Sequence, residues 1–286
     1  MNRSLLADKR ECHPNARTQF PRKHYIWHPD ESLYFEPVQN SFVCFRKSVE
    51  LREPSCALLD IFAHNVYALW INGTYIATGP CRSDPTWQYY DIVDVTPHLR
   101  QGTNTIAVLV LYYGYGTGQS VDRTRGLWAR LRVTEANEEE IEIETDKTWK
   151  CAFADWFDRS APRVNGRQGP IEIVDSRRMV IGWEEPDFDD SAWCLAASMG
   201  IPTDFWNLVP REIPMLKEGE VSFKWTSHAG TVTVSTNPAM HLALIEETRC
   251  DSMELAETKE WVPGYTIEPA APGTARVVNL ALDRVA

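Results

Sequence analysis

The chain has 286 residues, 43% of them hydrophobic and 24% charged, so it is globular and long enough for one large domain or two ordinary ones. With 29 Lys and Arg against 40 Asp and Glu, the formal charge is −11, and no basic stripe suggests nucleic acid or an anionic membrane as partner. Seven Cys, odd in number and without a C-x-x-C pair, argue against a disulfide framework and a zinc knuckle, and no apolar segment reads as a signal or a membrane span; a reducing, cytoplasmic setting is expected.

Residues 1–24 are polar and read as a flexible leader. Tyr25-Ile26-Trp27 opens the ordered part, and residues 42–51 and 58–63 read as strands. Residues 67–71 and 74–77 are two β-rich runs separated by Asn72-Gly73, the dipeptide best suited to the positive φ angles of a type I′ hairpin. Asp91, Asp94 and Thr96 interrupt the next apolar run. Thr96 is expected to cap one helical turn that Pro97 begins. After a turn at residues 102–104, residues 105–111 are almost wholly apolar, as in a strand buried on both faces. Residues 127–133 alternate apolar and polar, the pattern of a half-exposed strand, and the alternation at 141–145 favours a strand over a short helix. Residues 160–171 read as loop. Pro202, Pro210 and Pro214 mark a boundary near residues 201–212, beyond which 221–225, 230–235 and 276–282 read as strands. Neither a repeat nor a long amphipathic helix is evident. The expected fold is all-β: a leader (1–24), an antiparallel β-sandwich (25–205) and the start of a second, incomplete sandwich (206–286). Because the pattern stops at Ala286 directly after an apolar strand, a continuation is expected.

These residues resemble the N-terminal region of bacterial-type α-L-rhamnosidases. The resemblance rests on Ile26-Trp27, Phe45-Arg46-Lys47, Trp70-Ile71-Asn72-Gly73, Tyr90-Asp91 through Asp94-Val95-Thr96, Gly102-x-Asn104-x-Ile106-x-Val108 and Phe188-Asp189-Asp190-Ser191-x-Trp193, with 209–214 like the joint before the family's second sandwich. It implies a jelly-roll, galactose-binding-like sandwich in a multidomain hydrolase whose acidic catalytic residues lie on a later α/α barrel. Similar motifs occur in β-galactosidases and β-glucuronidases, so the resemblance speaks to fold before substrate. No catalytic position of the family has a counterpart here, and the loop after the apolar strand departs from the family's Gly-Trp-Tyr-like form as residues 112–116. The partners implied are rhamnose-containing glycans or glycosides and the missing C-terminal catalytic domain.

Glycoside hydrolysis needs two opposed carboxyl groups. Glu184/Glu185, Asp189/Asp190 and Glu246/Glu247 are adjacent in sequence and cannot flank one bond. Asp187, Asp189 and Ser191 suggest a calcium loop, but the sixth place is Ala192 and the twelfth Ser198, so a self-satisfied turn is the better reading. The seven His show no metal-type spacing, Gly114, Gly116 and Gly118 precede no helix, and no cofactor is expected. What remains is aromatic. Strand-end rings of Trp87, Tyr113 and Tyr115, with Trp128 beside them, are the expected carbohydrate-binding set; packing in the core or against a neighbouring domain is the competing use of the same rings. The chain by itself is expected to be inactive. A free-standing lectin-like module is the alternative from another class, and a β-galactosidase-type relative a third.

Overall fold

In this computed structural model the described residues are 24–32, 38–84, 87–118, 120–163, 165–200, 207–216, 218, 223–233 and 274–282. The expected leader lies almost wholly outside them. Asn72 and Gly73 take φ of 51° and 79°, as a type I′ turn requires, and join Val66–Ile71 to Thr74–Gly79 in the expected hairpin. In chain order the strands are β1 (Tyr25–Trp27), β2 (Ser41–Leu51), β3 (Pro54–His64), β4 (Val66–Ile71), β5 (Thr74–Gly79), β6 (Trp87–Asp94), β7 (Gly102–Tyr112), β8 (Gly126–Glu135), β9 (Glu140–Glu144), β10 (Lys150–Phe153), β11 (Cys194–Leu195), β12 (Ala197–Gly200), β13 (Asn207–Pro210), β14 (Phe223–Thr233) and β15 (Thr274–Leu282). Helix among the described residues is limited to single 3-10 turns, and none is long and apolar enough to cross a membrane.

Two compact units divide the chain at Pro214/Met215. The first is an antiparallel β-sandwich, as the sequence suggests. One sheet runs β12-β1-β8-β3-β6-β13, with β9 also on β8; the other runs β11-β10-β2-β7-β4-β5. All pairings in this unit are antiparallel except β13 on β6. The second unit contains the antiparallel pair β14–β15, in which the two strands expected at 221–225 and 230–235 form one continuous strand where they are described.

Alternation decides which side chains fill the sandwich. Val43, Phe45, Leu69, Ile71, Ile106, Val108 and Val110 of one sheet meet Leu59, Ile61, Leu127, Ala129 and Leu131 of the other in one core, each large side chain contributing about 1.5–3 kcal/mol by leaving water. The opposite face of β2 and β7 is also covered. There Phe42, Cys44 and Ala107, with Leu109 and Leu111, pack against Trp156 and Trp183 of the long segment after β10. The apolar run in β7 is therefore buried on both faces, as its composition implies. Arg46 holds that segment down: it is 1% exposed, donates to the Trp183 and Glu185 carbonyls and to Asp190 Oδ2, and lies over the Phe188 ring.

Two local expectations fail. In β8 the polar alternates are not solvated: Arg130 is 3% exposed and bonds Asp60 Oδ2 at 2.6 Å, while Arg132 bonds Asp60 Oδ1 at 2.7 Å. A buried carboxylate on β3 thus converts an apparently wet face into an ion-paired one. The turn Thr96–His98 forms, but Thr96 does not cap it. Its Oγ1 accepts from Ala57 N and donates to the Ala57 carbonyl, tying the turn to β3, while Asp94 Oδ1 accepts from Thr96 N.

Candidate functional site

Strand order brings six chain segments to one rim: the end of β3 and start of β4, the end of β5, the start of β6, the end of β7, and the loop before β8. They enclose an open cleft of about 180 Å³ whose polar lining includes His64, Asn65, Arg82, Gln88, Thr117 and Ser120, with Tyr113 and Phe62 among its rings. Asn65 braces the cleft: its Oδ1 accepts from Tyr113 N at 2.7 Å, its Nδ2 donates to Ser120 Oγ at 2.9 Å, and its backbone N–H donates to the Leu111 carbonyl at 3.0 Å. His64 Nε2 lies 3.0 Å from the Val121 carbonyl, which fixes the ring against the loop. The wall is thereby built before any ligand arrives.

Two groups keep bonding capacity. Arg82 is exposed on the cleft lip. Gln88 is 8% exposed, and its Oε1 accepts no hydrogen bond among the described residues. Leaving such an acceptor unsatisfied costs about 1–3 kcal/mol, so a donor from a ligand or from water belongs there. Among the described residues no Asp or Glu lines the cleft. Other buried carboxylates are already engaged: Asp60 with Arg130 and Arg132, and Asp91 with Tyr67 and Arg211 at 2.6 and 2.9 Å. Burial pushes the Asp91 carboxyl above its ordinary pKa, although both partners pull the other way.

The four aromatic residues singled out in the sequence separate. Trp87 is 52% exposed at the start of β6, beside Gln88. Tyr113 lines the cleft and stacks on Tyr115, with centroids 5.9 Å apart and planes 16° apart. Tyr115 is spoken for: its hydroxyl donates to Asn40 Oδ1, and the Arg163 guanidinium sits 4.3 Å from its ring centroid. Trp128 is fully buried, edge-on to Tyr90, and cannot meet a sugar. Sequence reasoning passed over Asn65, Arg82, Gln88 and Ser120. The signal for Gln88 was available, since it is the one amide in the aromatic run 87–90. Asn65 and Ser120 had none, because their pairing spans 55 residues.

A second constellation also escaped the sequence. His28 Nε2 lies 3.3 Å from Cys194 Sγ, which lies 3.5 Å from Cys151 Sγ, although no spacing links the three. Cys44, Cys81, Cys151 and Cys194 are free thiols, whereas Cys56 is disulfide-bonded.

Comparison with known proteins agrees with this architecture. A curated α-L-rhamnosidase of Streptomyces avermitilis is 28% identical over 172 residues, covering 59% of this chain and 14% of that protein. The crystal structure of a GH78-family rhamnosidase of Bacillus sp. GL1 superposes with a TM-score of 0.66 at 33% identity, over 74% of this chain and 22% of that one. An α-L-rhamnosidase structure from Dictyoglumus thermophilum, at 22% identity and a TM-score of 0.53 over 76% of this chain and 26% of its own, shares the fold. The chain thus spans less than a third of each relative's length. Residues 52–218, more than half of the chain, match the model of the α-L-rhamnosidase N-terminal domain, and the chain belongs to that family.

Proposed function

We propose that this chain is the N-terminal accessory region of an α-L-rhamnosidase-type glycoside hydrolase, that its rim cleft binds rhamnose-containing glycans, and that hydrolysis is performed by a catalytic domain elsewhere in the parent protein. The observation that carries the proposal is a braced cleft that offers an unsatisfied amide oxygen, a guanidinium and the Tyr113 ring, yet no carboxylate among the described residues. Gln88 Oε1 accepts from a sugar hydroxyl, Arg82 donates to ring or hydroxyl oxygens, and the Tyr113 ring meets the C–H face of the pyranose. Bond cleavage needs an acid and a base or nucleophile on either side of the glycosidic oxygen, and the cleft supplies neither. The sandwich positions substrate and docks the catalytic domain.

Two measurements test this. The isolated chain should give no turnover of p-nitrophenyl α-L-rhamnoside above a blank, and sustained turnover would overturn the accessory role. Titration of the native protein with L-rhamnose or a rhamnoside should show saturable binding by calorimetry, weakened about 10-fold or more in Gln88→Ala and Tyr113→Ala. A flat titration of the native protein would remove the binding role while leaving the docking role standing. A lectin-like module would bind similarly but would function without a hydrolase domain, so the coding sequence beyond residue 286 separates the two.

A further inference from the structure

We propose that His28, Cys151 and Cys194 form a zinc site in the first sandwich, separate from the rim cleft. The three come from different parts of the chain: His28 follows β1, Cys151 is on β10 and Cys194 is on β11, directly paired with Cys151 across the strands. Their ligand atoms all lie within 4.8 Å of one another, the closest pairs at 3.3 Å (Nε2 to Cys194 Sγ) and 3.5 Å (Sγ to Sγ). In a tetrahedral zinc site with bonds of about 2.3 Å to sulfur and about 2.0–2.1 Å to nitrogen, the ligand edges are about 3.8 Å for S···S and about 3.6 Å for S···N. Those two edges therefore need to open by only a few tenths of an ångström.

The surroundings suit a divalent cation. Cys151 is fully buried, His28 is 6% exposed and stacks on Phe153, and Cys194 is half-buried at a two-residue edge strand, which leaves a way in. Zn²⁺ with two thiolates and a neutral imidazole carries no net charge, so it can be buried without the penalty of an isolated ion. Asp30, Glu31 and Asp155 add a negative potential around the ring. Behind the ring, His28 Nδ1 accepts from Asp30 N at 3.3 Å, which holds the ring with Nε2 toward the sulfurs, and Asp30 Oδ2 lies 3.9 Å away.

The proton count follows. In the free protein His28 Nδ1 accepts from Asp30 N, so the ring proton sits on Nε2 and both sulfurs are thiols. Zinc binding forms two Zn–S bonds and one Zn–N bond, releases both thiol protons to solvent and moves the imidazole proton to Nδ1, which gives up the hydrogen bond from Asp30 N and turns toward the Asp30 carboxylate. Water fills the fourth position. The ion ties the first turn after β1 to β10 and to the short edge strand β11.

Reduced, metal-free full-length chain should bind one equivalent of Zn²⁺, and its melting temperature should rise with zinc concentration. Co²⁺ in place of zinc should give thiolate-to-cobalt charge-transfer absorption with intense tetrahedral d–d bands. Cys194→Ser and Cys151→Ser should weaken zinc binding roughly 100-fold or more and abolish the charge-transfer band, whereas Cys44→Ser and Cys81→Ser should change neither. If Cys151→Ser fails to fold, the half-exposed Cys194→Ser and the cobalt spectrum of the native chain decide. Stoichiometry clearly below one, serine variants that bind as tightly as the native chain, or a Cys151–Cys194 disulfide persisting in the reduced protein would overturn the site.

Discussion

Trp87 and Trp128 both sit near a strand end in the sequence, yet one is half exposed and the other sealed. The difference lies in the packing around each ring: Tyr90 from β6 and Arg130 from β8 close over Trp128. Trp128→Ala is expected to cost about 3–5 kcal/mol in urea unfolding, and Trp87→Ala to stay within about 0.5 kcal/mol of the native protein. Gly79 is a second residue whose importance is invisible locally. A Cβ there would fall 2.1 Å from Asp91 Oδ2 and 2.6 Å from Tyr67 Oη, two atoms that are bonded to each other and cannot both swing away. Gly79→Ala should therefore lower stability by more than about 2 kcal/mol, readable as a drop in the urea midpoint.

The element that departs furthest from regular structure is the segment between β10 and β11, and a buried guanidinium keeps it on the sheet. The Phe188–Trp193 motif was legible because its turn formers and aromatics are contiguous. Its anchor was not, because Arg46 lies 144 residues from Asp190. Removing Arg46 strands two carbonyls and leaves Asp190 to Lys150 alone, so Arg46→Met should cost about 3–5 kcal/mol and speed amide exchange across residues 182–193 before the rest of the sandwich. Asp190 makes the same contact depend on pH. Desolvation raises its pKa, but Lys150 at 2.8 Å and Arg46 at 3.1 Å outweigh that and hold it below the ordinary value. A carboxyl depressed in the folded state stabilises it above the unfolded pKa, about 3.9, and loses that contribution as pH falls through the lower folded value. The stability gap between the native protein and Asp190→Asn should be constant from pH 7 to about 5 and shrink below about pH 4. A gap unchanged at pH 3 would refute the ion-pair account. β8 teaches the converse lesson: Arg130 and Arg132 read as solvent-facing until Asp60, 70 residues away, supplies their counter-charge.

At the scale of the whole molecule, the sandwich was readable because its signals are local and repeated: the Asn72-Gly73 turn, the apolar run of β7 and the alternation in β9. The cleft and the His–Cys cluster were not, because sheet order alone assembles them. The same order carries a consequence for where the molecule may be cut. β13 lies alongside β6 in parallel, from Asn207 beside Trp87 to Pro210 beside Tyr90, and the residue that follows, Arg211, reaches back to the enclosed carboxylate of Asp91. The exit path of the first unit is thus stitched into its own margin, like a hem. A protein shortened to end at Pro214 keeps that hem and should elute as a well-behaved monomer. One shortened to end at 205 exposes the raw backbone edge of β6 and should aggregate on a sizing column.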